Sequence, residues 1–133
     1  MARAAKRAIV SDEVPAPAGA YSPALEVGDW VFVSGQGGFD PASGELVSEE
    51  IGAQTEQAFR TIDVLLAEAG LSRDDIVSCL VHLSDLSLFP GYNAAYERQF
   101  PKEPRPVRTT VGASLLAGML VEITVTARRT ATG

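Results

Sequence analysis

The chain has one cysteine, Cys79, and one histidine, His82, among its 133 residues. A single thiol excludes an internal disulfide and suits a reducing compartment. With no second cluster of ligands, one Cys and one His are too few to close a metal site. The two also lie three residues apart in the strand-like run IVSCLVHL, where an odd separation sends side chains to opposite faces. That disfavours a Cys–His nucleophile pair, and both read as packed strand residues. Positive charge is scarce as well: 11 Lys and Arg against 17 Asp and Glu give a net charge of −6. Sequence-independent nucleic-acid binding needs a basic surface to displace phosphate counterions, so a nucleic-acid partner is not expected. Lys102, Arg105 and Arg108 are close together, but the prolines between them read as a positioned loop, not a basic stripe. No apolar run is long enough to span a membrane. The basic start MARAAKRAIV lacks the apolar core of a signal peptide, and a cytoplasmic protein is the expectation.

What is present is an ordinary globular balance, 46% hydrophobic and 21% charged, with no repeat, linker or low-complexity segment. One domain over residues 1–133 follows from the length. Residues 7–10 and 22–26 read as short strands. DWVFVSGQ is a clearer one, rich in aromatic and β-branched residues and ended by Gly35. DPASGELV is turn-rich and joins two hairpin strands. In SEEIGAQTEQAFRTIDVLLAEAG, Ile51, Ala58, Phe59, Ile62, Leu65, Leu66 and Ala69 share one face at helical spacing. Ser48 is placed to cap this helix, Glu49 and Glu50 complement its dipole, and Gly70 stops it. DIVSCLVHLSD is near-continuously apolar, as an interior strand is. FPGYNAAYERQF reads as a second helix with Pro90 near its start; its Tyr92, Tyr96 and Phe100 stripe reads as packing. PVRTTV is a strand with a proline-stiffened entry. MLVEITVTARR alternates strictly, with Val121, Ile123, Val125 and Ala127 on one face and Glu122, Thr124, Thr126 and Arg128 on the other. This order predicts an α+β domain, an antiparallel-rich mixed sheet with two helices on one face. The other face is then either wet or covered by another subunit.

Two charges stand out in PVRTTVGASLLAGMLVEI: Arg108 and Glu122. They are either exposed charges, an ion pair, or two parts of a site. As a site, a guanidinium presents a fork that holds a carboxylate through two hydrogen bonds. A glutamate nearby positions a water and moves protons as a general acid/base.

Four stretches resemble the RidA/YjgF family of enamine/imine deaminases, in the family's order and over about Pro15 to Arg129. PAGAYSPALEVGDWVFVSGQ is similar to its N-terminal block, with Tyr21 at the pocket tyrosine and Ser34-Gly35-Gln36 at its SGQ turn. GELV and LSDLSLFPGYNAAYERQFP match around the two helices, with Asn93 at the recurrent asparagine. PVRTTV is similar to the signature segment, placing Arg108 at the substrate-carboxylate arginine. VEITVTA places Glu122 at the water-activating glutamate.

The resemblance implies a chorismate-mutase-like α+β fold and a homotrimer with sites between subunits, which also buries the open sheet face. It implies a hydrolase that turns reactive 2-imino acids, such as 2-iminobutanoate, 2-iminopropanoate or the tautomeric 2-aminoacrylate, into 2-keto acids and ammonia, without metal or cofactor. Arg108 and Glu122 are then catalytic, with Tyr21, Gly35, Asn93 and Thr110 binding substrate, Gly35 and Thr110 through their backbones. Three features depart from the family pattern. Thr109-Thr110 follows the arginine where many members have a small residue and a cysteine. The turn GASLLAGM is one residue shorter than in the best-known members. GQGGFDP is glycine-rich where a bulkier residue is usual, which is expected to widen the pocket. A non-catalytic 2-keto-acid binding or regulatory protein on the same scaffold is the alternative, and an RNA-directed translation inhibitor a weaker one.

Overall fold

A computed structural model describes residues 5–130. Eight regular elements follow the chain: β1 (Lys6–Ile9), β2 (Ala24–Val27), β3 (Trp30–Gln36), α1 (Ile51–Glu68), β4 (Ile76–Leu83), α2 (Phe89–Gln99), β5 (Val107–Gly112) and β6 (Val121–Arg128). The strands form one sheet in the order β1-β2-β3-β6-β4-β5. All neighbours are antiparallel except β4 and β5, which run parallel. The parallel pair exists because α2 crosses over between them, as a βαβ connection requires.

Both helices cover one face, and the α+β expectation is met. The alternation in β6 is the clearest case: Val121, Ile123, Val125 and Ala127 are buried under the helices, while Glu122, Thr124 and Thr126 are half-buried on the opposite face. From α1, Ala58, Phe59, Ile62, Leu65 and Leu66 are fully buried against them. A fully buried aliphatic or aromatic side chain of this size stabilises the fold by about 1.5–3 kcal/mol. Gly70 ends α1 as expected, with φ of 74°. Its N–H bonds to the Ala67 carbonyl and that of Leu71 to Leu66, the double closure of a Schellman turn.

The start of α1 differs from the expectation. The helix begins at Ile51, with Glu50 at the cap position and no side-chain cap. Ser48 instead accepts the N–H of Glu50 at 3.0 Å, a turn one step before the helix. Glu49 and Glu50 accordingly lie outside the first turn. DPASGELV also forms less than a full hairpin: Phe39 and Leu46 make a single antiparallel bridge. Asp40 closes its tip by accepting the N–H groups of Ala42 and Ser43.

The sheet face away from the helices is uncovered. Trp30 and Phe32 of β3, Leu80 of β4, and Val107 and Val111 of β5 are exposed on it. Among the described residues, no helix is long and apolar enough to cross a membrane.

Candidate functional site

Strand register places Arg108 and Glu122 on opposite faces of the sheet. Arg108 stands level with Cys79 of β4, which stands level with Val125 of β6, so Arg108 lies on the helix side. Glu122 stands level with His82, on the uncovered side. Neither is in an ion pair among the described residues. The simple intrachain ion pair is thereby excluded, and the six expected site residues fall into two groups.

The first group is built around Glu122. The β3–β6 ladder slips register between Val33 and Gln36, and this bulge contains Ser34 and Gly35. A Cβ on Gly35 would lie 2.6 Å from Glu122 Cδ and 2.9 Å from its Oε1, so the carboxylate rests where any other residue would put a side chain. The bulge is locked by its own side chains. Ser34 Oγ donates to the Pro23 carbonyl at 2.9 Å, and Gln36 Nε2 donates to the Ser34 carbonyl at 3.1 Å. Glu122 and Gly35 line a cavity of about 570 Å³ shared with Tyr21, Phe39, Leu116 and Met119. Tyr21 is held by the N-terminal segment: its phenol oxygen accepts the N–H of Ala18 at 3.2 Å. That leaves its own proton to donate.

The second group is built around Arg108. Its Nη1 donates to Asn93 Oδ1 of α2 at 2.8 Å. Its guanidinium carbon sits 4.5 Å from the Tyr96 ring centre, 5.4 Å from Tyr92 and 5.6 Å from Phe89. The aromatic stripe of α2 therefore packs, as expected, and also cradles a cation. Burial pushes the Tyr92 and Tyr96 phenols up from their ordinary value, so both rings stay neutral. They hold the guanidinium without cancelling its charge. Thr110 shares the Arg108 face, and its Oγ1 lies 3.2 Å from the Tyr92 hydroxyl. Cys79 lies beneath, buried, with its thiol pushed up to about 11 by desolvation. At neutral pH it is a packing group. Cys79 and His82 face opposite sides, as their spacing predicts. The buried Nδ1 of His82 has no hydrogen-bond partner among the described residues.

The 112–120 turn delivers Glu122 to the cavity. It tightens through a single 3-10 turn, Leu116–Gly118, with Ala117 and Gly118 at φ of 54° and 75°. It is pinned from below by Gln54, a residue not singled out from the sequence. Gln54 is fully buried; its Oε1 accepts the Leu120 N–H at 2.9 Å and its Nε2 donates to the Ser48 carbonyl at 2.8 Å. Its signal was there to read: a glutamine three residues after Ile51 and four before Ala58, on the apolar stripe of α1.

The glycines of GQGGFDP add no empty space of their own. A Cβ on Gly37 would meet Met119 Sδ at 2.4 Å, and one on Gly38 would meet the Gln54 backbone at 2.7 Å. The room they leave is filled, by a thioether and by a helix. Met119, Phe39 and Leu116 are cavity residues that sequence patterns alone did not mark.

Lys102, Arg105 and Arg108 form no basic stripe. Arg105 is engaged with Glu103 and the Phe100 carbonyl, Lys102 lies 3.7 Å from Asp74, and Arg108 turns toward α2.

The same architecture recurs in known proteins. The Endoribonuclease L-PSP family model matches residues 11–129. A RutC family protein of Pyrococcus abyssi is 40% identical over 112 residues, 84% of this chain and 87% of that protein. A 2-iminobutanoate/2-iminopropanoate deaminase of Dermatophagoides farinae is 32% identical over 84% of this chain and 86% of that protein. The crystal structure of RidA from the Antarctic bacterium Psychrobacter sp. superposes with a TM-score of 0.87 at 40% identity, covering 92% of this chain and 99% of that one. Sequence match and superposition extend over nearly the whole chain, including both groups of residues, and on that ground the protein belongs to the RidA/YjgF family.

Proposed function

We propose that the protein hydrolyses reactive 2-imino acids to 2-keto acids and ammonia, at sites where the Glu122 group of one subunit meets the Arg108 group of the next in a homotrimer. The observation that carries this reading is the division of the site. Glu122 faces a cavity with no hydrogen-bond partner from its own chain among the described residues. Arg108 is braced by Asn93 and a neutral aromatic cradle on the other face of the sheet. One copy cannot bring the two together, whereas a head-to-tail ring of copies can. The exposed Phe32, Leu80, Val107 and Val111 give such a ring an apolar face to bury.

The chemistry needs little from the protein, because the imine carbon is already electrophilic. Arg108 keeps guanidinium donors free of Asn93 for the substrate carboxylate, fixing the acid in the site. Water adds to C2 while Glu122 accepts its proton, giving a carbinolamine. Glu122 passes that proton to nitrogen, the C–N bond breaks and ammonia leaves, and the hydroxyl proton returns to Glu122 as the C2–O bond becomes the ketone. Tyr21, with its proton unspent, donates to the polar atoms at C2. Gly35 contributes chiefly by yielding its side-chain space to the Glu122 carboxylate.

The test is a coupled assay in which a partner enzyme releases an imino acid and its decay is timed. Acceleration by the wild-type protein that falls by about 10²- to 10⁴-fold in Arg108→Ala is the expected result. Saturable 2-keto acid binding with no acceleration would identify a binding protein instead.

A further inference from the structure

We infer that the Glu122 cavity selects imino acids with bulky apolar side chains, and that Met119 sets its depth. This rests on the hydrolytic reading above and names its substrate class. In a single copy, still open toward the neighbour that supplies Arg108, the cavity measures about 570 Å³, more than a three-carbon imino acid fills. Its chemistry is also lopsided. Glu122 and the Tyr21 hydroxyl take charge of water and the polar atoms, and the substrate carboxylate goes to Arg108 of the neighbouring subunit. The rest of the wall is mostly apolar and includes Pro15, Pro17, Phe39, Leu116 and Met119, beside the polar Gln36 and Ser43. None of these has a role at C2, so the part of the substrate left for them is the substituent that C2 carries.

Two details make this wall a side-chain pocket and not incidental surface. Met119 is 8% exposed and its sulfur occupies the space above Gly37, where a Cβ would come within 2.4 Å. Position 37 carries no side chain, and an unbranched thioether from position 119 fills its space, a wall that adjusts to differently shaped apolar groups. At the mouth, Leu116 is 79% exposed, and it is presented by a turn whose next residue, Ala117, holds a left-handed φ of 54°. A non-glycine residue in that region is a strained choice. Its effect here is to put a leucine over the cavity opening, where a bound apolar side chain would cover it.

The experiment generates imino acids from alanine, leucine, methionine and phenylalanine with an amino-acid oxidase. It compares kcat/KM for their hydrolysis in the wild type, Leu116→Ser, Met119→Ala and Gly37→Ala. Each buried methylene gains about fourfold to tenfold, so the leucine- and methionine-derived imines should exceed the alanine-derived one by at least about tenfold. Leu116→Ser, at an exposed position, should lower that ratio. Met119→Ala should shift preference toward the phenylalanine-derived imine. Gly37→Ala, which drives Met119 into the cavity, should shift it toward alanine. Equal or faster turnover of the alanine-derived imine, or a ratio unmoved in the folded Leu116 variant, overturns the inference while leaving imine hydrolysis intact. No acceleration of any of the four imines overturns both.

Discussion

The carboxylate of Glu122 lies against the backbone of Gly35, so closely that a single methyl group there would come within 2.6 Å of Glu122 Cδ. A glycine in the middle of a strand usually costs stability. Here it makes room for the acid on the neighbouring strand.

Gly35→Ala should therefore displace Glu122 while leaving the sheet assembled. Imine hydrolysis is expected to fall at least about a hundredfold, and the added methyl to cost about 1–3 kcal/mol of stability. Steady-state kinetics beside urea denaturation reads both. Unchanged kinetics would show that the Glu122 position is not critical.

Gln54 should act at a distance from the chemistry. Its Oε1 accepts the Leu120 N–H, two residues before Glu122. Gln54→Leu keeps the volume and removes the partner, leaving buried donors and acceptors unpaired at about 1–3 kcal/mol. Hydrogen exchange should quicken at the 112–120 turn first. If protection there is unaltered, the glutamine is not what pins the turn.

Arg108→Lys tests whether shape or charge matters at the proposed carboxylate clamp. Lysine keeps the charge but loses the planar fork and the stacking on Tyr96. KM for imino acids should rise about tenfold or more, and 2-keto acid affinity measured by calorimetry should fall in step. Wild-type affinity in the lysine variant would mean that only the charge is used.

Cys79 offers a pH prediction. Its thiol is raised from an ordinary value near 9 to about 11 in the folded protein. The unfolded chain therefore releases this proton first, and folding stability contributed by the neutral thiol is fully present below pH 9. It is lost as pH rises toward 11. Tyr92 and Tyr96, also raised by burial, add to the loss above pH 10. Denaturation midpoints should decline from pH 9 upward, less steeply in Cys79→Ala. At pH 8 the native thiol should resist alkylation that the unfolded chain accepts.

How much of this was legible beforehand can be judged from particular residues. The β6 alternation and the α1 stripe gave the correct faces, because burial imposes a period that a sequence displays directly. Ser48 misled because its hydroxyl serves Glu50 in the preceding turn, and a capping serine looks the same in sequence whichever N–H it takes. Gly37 misled because a glycine announces missing volume but not who fills it; Met119 lies 82 residues away. Gln54 was visible as a polar break in an apolar stripe, yet its partner Leu120 depends on tertiary packing. The separation of Arg108 from Glu122 needed strand order: periodicity assigns a face within one strand and is silent on how two strands are arranged around β4.

The most direct test of the account is subunit complementation. Arg108→Ala and Glu122→Gln, each inactive alone, are denatured together and refolded as mixed oligomers. If Arg108 and Glu122 meet across a head-to-tail interface, about a quarter of the interfaces in a random mixture regain both native residues, and imine hydrolysis should return to about that fraction of wild type. A mixture that stays as inactive as its two components would contradict a site shared between subunits.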